Sequence, residues 1–263
     1  MILTVADREY EVDVESRVTT PAPVAIVIPQ HGTSFFLTRL AVDAIRKFTP
    51  PELADIWVVD NASAMDGALA GLDVSLILNR TPVWSWWQRP EQVGSLANAV
   101  ALELAVQVLG MEGKQSGRLL AMHSDALPIR PGWLEFLCAR TERVVGTKAS
   151  QRSGYPHSQG VLVDYDFLRR LGPGVLMPNL PMWDVAEGVA TKGDYWSAWG
   201  LTHVASAPHD PEWCPVRGWL ADEDCEVSWF RDAEPDFLHL GGGTVNRRDN
   251  HGWIERIRRN LEL

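Results

Sequence analysis

Four short apolar runs, each closed by turn-forming or polar residues, constrain what this 263-residue chain can become: Val24 to Ile28 before Pro29, Ile56 to Val59 before Asp60, Val74 to Leu78, and Leu119 to Met122. Each has the length and continuity of a buried strand. Helical stripes stand between them. Leu37, Leu40, Ala41, Ala44, Ile45 and Phe48 recur on one helix face. Val93, Leu96, Ala97, Val100, Ala101, Leu104, Ala105, Val108 and Leu109 make a longer and cleaner stripe. Strands alternating with helices call for right-handed crossovers, so the pattern predicts a mainly parallel sheet with helices on both faces. No internal repeat competes with it, and the length suits one domain.

The fourth run carries the chemistry, because it delivers His123, Ser124 and Asp125 at its C-terminal end. Pro128 and Pro131 follow, and Pro131 is placed to open a helix bearing Trp133, Leu134, Phe136 and Leu137. In an open α/β sheet ligands bind outside the carboxyl ends of the strands, where a carboxylate can hold a metal and a phosphorylated ligand. The same triplet can instead cap backbone groups of a turn. Asp60 and Asn61 end the second run and face the same choice.

The remaining segments are less regular. Residues 1–22 alternate weakly and read as a short edge strand or an arm before the domain proper. Gly160 to Asp164 reads as a further strand, followed by a short helix through Phe167 and Leu171 and a Pro/Gly-rich loop from Gly172 to Pro181. At Trp183 a helix start is indicated, with Asp184 as N-cap and Glu187 completing a capping box. The aromatic, acidic stretch from 196 to 238 allows no firm assignment, and the tail from His251 to Leu263 has helical periodicity.

Charge excludes some partners. Lys and Arg total 24 against 34 Asp and Glu, a formal net charge of −10, which disfavours a general grip on nucleic acid or an anionic membrane. No apolar run approaches the ~20 residues of a membrane span, and the N-terminus lacks a signal-peptide pattern, so a soluble cytoplasmic protein is expected. Cys138, Cys214 and Cys225 are too few and too scattered for a disulfide framework or a structural zinc site, and buried thiols are expected. Twelve Trp is more than a core absorbs, and Trp84, Trp86 and Trp87 either shape a pocket or cover a sheet edge or partner contact.

Taken in order, these segments resemble a family 2 glycosyltransferase of the GT-A fold, a nucleotide-diphosphate-sugar-dependent class. Val24 to Pro29 is similar to the family's opening strand, and Val58-Val-Asp-Asn-Ala-Ser63 with Asp66-Gly67 to its second-strand signature. Gly94 to Asn98 resembles the element that precedes the metal motif. His123-Ser-Asp125 occupies the place of the Asp-X-Asp motif, and Pro131-Gly-Trp-Leu134 follows as it does there. Gly160 to Asp164 and Phe167-Leu168 resemble the strand and helix ahead of the acceptor site, and Phe237 to Thr244 a C-terminal segment of such enzymes.

The resemblance implies a three-layer α/β/α sandwich with a mostly parallel central sheet in a single domain, 1–263. After the arm at 1–22 would come a nucleotide-sugar half at 24–145, an acceptor and catalytic half at 146–245, and a C-terminal helix at 246–263. It implies donor contacts from Pro29, His31, Gly32, Asp60, Asn61, Gly94, Asn98, His123 and Ser124, with Trp183 on the acceptor side. Asp125 would ligate a divalent cation, Mn²⁺ or Mg²⁺, since hard oxygen ligands suit such ions, and His239 beside the glycine run is a candidate additional ligand or else a structural histidine. His123 stands where the family usually has Asp, so the site carries one charge fewer. A general base would take the acceptor proton during inverting transfer, and Asp184 and Asp224 compete for that role, Asp184 preferred. Arginines near the C-terminus usually make a solvated face, but Arg247 or Arg248, just past the Gly241-Gly-Gly243 run, could reach a diphosphate. Two rivals stand beside this reading. A nucleotidyltransferase needs a basic phosphate loop after its first strand, and Gln30-His-Gly-Thr-Ser34 has no Lys or Arg. A catalytically silent module would keep the fold and hold a nucleotide or glycan.

Overall fold

The computed structural model describes residues 1–5, 7–30, 35–61, 69, 71–83, 90–141, 144–148, 156–171, 176, 213–215, 219–221, 237–239 and 251–263. In chain order the strands are β1 (Ile2–Val5), β2 (Arg8–Glu15), β3 (Val24–Gln30), β4 (Ala54–Asn61), β5 (Ser75–Asn79), β6 (Arg118–Met122), β7 (Ala126–Pro128), β8 (Val144–Lys148), β9 (Pro156–Asp164), β10 (Trp213–Pro215), β11 (Trp219–Ala221) and β12 (Phe237–His239). The helices are α1 (Phe35–Phe48), α2 (Pro90–Met111), α3 (Trp133–Cys138), α4 (Tyr165–Leu171) and α5 (His251–Leu261).

One sheet runs β1-β2-β5-β4-β3-β6-β9-β8-β10, and a small second sheet runs β11-β12-β7. The centre of the large sheet, β5-β4-β3-β6, is parallel throughout, while β2 and β9 flank it antiparallel. This is the expected mixed α/β architecture. All seven residues of β3 are buried, which explains why its sequence is apolar from Val24 to Pro29 rather than alternating. The pleat sorts them between two cores. Ile26 and Ile28 pack with α1 and with Ile254, Ile257 and Leu261 of α5; Ala25 and Val27 pack with the stripe of α2 and with Tyr165 and Phe167 of α4. Helices therefore cover both faces, as the crossover rule requires.

Several boundaries differ from the sequence reading. Residues 1–22 are more than an arm: β1 and β2 form an antiparallel pair, and β2 joins the sheet through Val12↔Asn79 to Glu15↔Leu76. The weak alternation there reflects one buried side, with Tyr10 and Val12 inside and Glu9, Glu11 and Asp13 outside. Pro29 does not end β3, which continues to Gln30. It is tolerated because β6 pairs with β3 only as far as Val27, leaving Pro29 where the strand has one neighbour. Nor does Pro131 open α3. Gly132 caps that helix at φ 83°, a conformation costly for residues with a Cβ, and the helix starts at Trp133. The helix expected at Trp183 lies outside the described residues, as does Cys225. Cys138 is free and half-buried rather than fully buried, and burial pushes its thiol up, opposed by the nearby Arg118, which leaves it poorly nucleophilic. Among the described residues no helix is long and apolar enough to cross a membrane.

Trp133 anchors the segment that follows the polar triplet. Its side chain is wholly buried, and its indole N–H donates to Thr49 Oγ1 at 2.9 Å, fastening α3 to the end of α1. Thr49→Val keeps the shape and removes the hydroxyl that accepts the indole N–H. We expect a loss of about 1–3 kcal/mol in denaturant unfolding, with no change in m-value.

Candidate functional site

The site is built from the C-terminal ends of three neighbouring parallel strands. Asp60, near the end of β4, stands opposite Gln30 of β3 and Leu78 of β5. On the other side of β3, β6 ends at Met122 and the chain turns through His123, Ser124 and Asp125, closed by Ala126 N–H donating to His123 O at 3.1 Å. Two interstrand steps separate β4 from β6, placing these two chain segments about 10 Å apart on one edge. The carboxylates at both ends are almost closed from solvent: Asp60 is 1 % and Asp125 6 % exposed. Ser124 is buried as well, and Gln30 accepts the Thr38 hydroxyl beneath the same edge.

Two consecutive residues of α2 tie these strand ends together. Asn61 Nδ2 donates to Ala97 O at 2.6 Å, and its Oδ1 accepts from Asn79 Nδ2 at 3.2 Å. One residue on, the Asn98 side-chain amide lies 3.0 Å from His123 Nε2. His123 Nδ1 in turn faces Asp125 Oδ1 at 3.8 Å. The helix thus grips the Asp60 strand with one residue and the Asp125 turn with the next.

This arrangement gathers Pro29, Asp60, Asn61, Asn98, His123, Ser124 and Asp125 at one sheet edge, with Gly94 in the backbone of α2 that runs past it. His239 lies in β12, whose register sets it opposite Ala126, the residue after Asp125. His31, Gly32, Trp183, Asp184 and Asp224 lie outside the described residues, as do Trp84, Trp86, Trp87, Arg247 and Arg248. Asn61, expected as a donor contact, has both ends of its side-chain amide committed to Ala97 and Asn79. Gln30, Thr38 and Asn79 went unmarked in the sequence; a polar residue closing an otherwise apolar strand, as Gln30 and Asn79 do, was the available signal. Among the described residues no three His, Cys, Asp or Glu side chains converge as a metal cage. His123 and Asp125 do approach each other. A cavity of about 400 Å³ opens at the opposite edge, beside Ala54 and Ser75, but Arg17 and Arg46 in its wall are engaged by Asp73.

No protein-family model matches the chain, and no curated protein does. Solved structures do. The galactosyltransferase LgtC, in complex with donor and acceptor sugar analogs, superposes with a TM-score of 0.53 at 12% identity, covering 90% of this chain and 95% of LgtC. The glycosyltransferase GlyE of Streptococcus pneumoniae superposes at 0.54 and 9% identity, over 91% of this chain and 61% of GlyE. This chain has the glycosyltransferase GT-A fold. A mannosyltransferase from Pyrobaculum calidifontis, in complex with GDP-Man and Mn²⁺, reaches only 0.49 at 17% identity, with 61% of its length covered, too slight an overlap for its ligands to bear on this chain. In a GT-A fold, the edge that holds Asp60 and Asp125 is the carboxyl edge of the parallel strands, where ligands of open α/β sheets bind.

Asn61→Ala removes the acceptor of the Asn79 amide and the tie to α2. Unfolding free energy should drop by about 1–3 kcal/mol in denaturant titration. An unchanged midpoint would show that the amide bridge carries no load in holding β4 to α2.

Proposed function

We propose that this protein is a glycosyltransferase that moves a sugar from a nucleoside-diphosphate donor to an acceptor hydroxyl, as in the family 2 enzymes its segments resemble. The observation that carries the reading is the delivery of Asp60 and Asp125 to one carboxyl edge, by strands flanking the same β3, in a fold shared with glycosyltransferases. Asp60 accepts a hydrogen bond from the base or ribose of the donor, as a buried acceptor at a βα crevice does. Pro29, His31 and Gly32 border the nucleotide, and Gly94, Asn98 and Ser124 border the sugar diphosphate. Trp183 offers an indole face to the acceptor.

The chemistry of the donor set fits a divalent cation: a carboxylate at Asp125, and His239 on the strand beside it. Such an ion, Mn²⁺ or Mg²⁺, supplies charge neutralisation for a departing diphosphate. The protein's own residues do the rest. Asp184 takes the proton from the acceptor hydroxyl as that oxygen attacks the anomeric carbon, and a single displacement of this kind inverts the configuration there. Asp224 is the second candidate for that base. A soluble enzyme working on cytoplasmic nucleotide-sugars is the setting this implies. One observation favours a second reading: with His123 in place of a carboxylate, the protein could hold nucleotide or glycan without turnover.

Incubation with a panel of nucleotide-sugars and Mn²⁺, followed by assay of released nucleoside diphosphate, separates the two. Turnover is expected, and Asp125→Ala should lower it by about 100-fold or more. Binding without release would favour the silent module. Asp184→Asn should keep the donor-induced rise in melting temperature while transfer falls by about 10²–10⁴-fold, the range general-base catalysis contributes. If Asp184→Asn transfers normally and Asp224→Asn does not, the base is Asp224. The anomeric configuration of the product, read by proton NMR coupling, tests inversion.

A further inference from the structure

We infer that His123 is itself a cation ligand, through Nδ1 beside Asp125, that Asn98 is its positioning residue, and that the site consequently favours nitrogen-accepting transition ions over Mg²⁺. The inference rests on the proposed transferase reading, since the ion would be the one that accompanies the donor diphosphate.

The geometry comes first. His123 Nδ1 and Asp125 Oδ1 are 3.8 Å apart, and both side chains are largely buried. Two donors that each sit about 2.1 Å from one ion are about 3.0 Å apart at a right angle and about 4.2 Å apart when collinear. The observed spacing lies between those limits, so both atoms are near enough to reach one ion. The other ring nitrogen is already held, with the Asn98 amide 3.0 Å from Nε2. That amide can present its N–H to a bare ring nitrogen or, turned end for end, its oxygen to a ring N–H, with no heavy atom displaced. The second arrangement leaves Nδ1, which lies 3.8 Å from Asp125 Oδ1, without a proton. A ligating histidine typically donates its remote N–H to such an acceptor, and the acceptor fixes both the ring and its tautomer.

Asn98 is itself fixed. It follows Ala97, whose carbonyl is bound by Asn61 from the neighbouring strand, so the residue that steers His123 sits on a pinned turn of α2. Replacing a carboxylate by an imidazole changes the chemistry of the pair. Mg²⁺ demands oxygen donors and sheds water reluctantly, whereas imidazole suits Co²⁺, Ni²⁺ and Zn²⁺, with affinity rising from Mn²⁺ along the series.

The test uses the full chain with metal alone. Electron spin echo modulation of bound Mn²⁺ should show directly coordinated ¹⁴N in the wild type and in His239→Ala. The coupling should disappear when His123→Gln is added to that background. Calorimetric titration should give Co²⁺ at least about tenfold tighter than Mg²⁺, a ratio that His123→Asp narrows. Asn98→Ala should weaken Mn²⁺ about 10–100-fold, and Asn98→Asp, which keeps an acceptor for the ring N–H, should restore most of that affinity, a rescue that general loosening of the fold would not allow. Bound Mn²⁺ without nitrogen coupling, coupling indifferent to His123→Gln, or no Mn²⁺ binding at millimolar concentration each overturns the inference. Nucleotide-sugar turnover in the same preparations keeps the two readings apart. Turnover without nitrogen coupling removes only this inference; nitrogen coupling without turnover removes the transferase reading and leaves a cation site.

Discussion

The two parallel pairings of β3 govern everything that follows. Because Val24 to Gln30 pairs with Ala54 to Asp60 on one side, and Val24 to Val27 with Arg118 to Ala121 on the other, the ends of β4 and β6 arrive at the same edge of the sheet. A slip of one residue in either register would exchange the two faces of a strand. Ile26 and Ile28 belong to one core and Ala25 and Val27 to the other, so a slip would set large side chains against a helix that has packed around small ones. Burial on both faces therefore fixes the position of Asp60 and of the His123–Asp125 turn before any ligand is considered.

The long helix α2 adds a second constraint at right angles to the first. Its lower part is apolar and packs on the sheet, which fixes the axis, but an apolar stripe alone permits small slides along that axis. The polar ties at Ala97 and Asn98 remove that freedom, one to each strand end. Both are buried or partly buried, so breaking either leaves a desolvated donor or acceptor unmatched, a cost comparable to a good fraction of a domain's net stability. Position at the site is thus set by hydrogen bonds, and the elements that carry it are set by the hydrophobic effect.

That division also explains what could be read from the chain in advance. The strands β3, β4, β5 and β6 and the helices α1, α2 and α5 are written in apolar periodicity, which depends only on local sequence and on burial. Their order implied the crossovers and hence the common edge. The β1–β2 pair was underread because these strands bury a single face over a few residues, and only Tyr10 and Val12 mark it within β2. The start of α3 was misplaced because a proline was weighed above the glycine that follows it, although Gly132 supplies the left-handed turn. The polar partnerships were not legible at all. Nothing local to Asn61 says that its amide faces Ala97, 36 residues away, nor that Asn98 meets a histidine 25 residues further on. Such pairs exist only once the sheet order is known.

On the proposed reading, His123 stands where the family that these segments resemble usually has a carboxylate, and that exchange would alter the electrostatics of the turn. Two carboxylates around a divalent ion give a neutral cluster, whereas one carboxylate and a neutral imidazole leave a net charge of about +1. An ion bound there would be held less firmly on its own, since one full Coulombic partner is gone. The attraction of the same cluster for an anionic diphosphate would be greater, and in an edge as closed as this one, with Asp125 only 6 % exposed, that attraction would be weakly screened. The chain as a whole carries a net charge of −10, so an anionic ligand approaches against the general field and depends on a local positive centre. A site built this way would take up cation and diphosphate together more readily than either alone, because each supplies the charge that the other's binding requires.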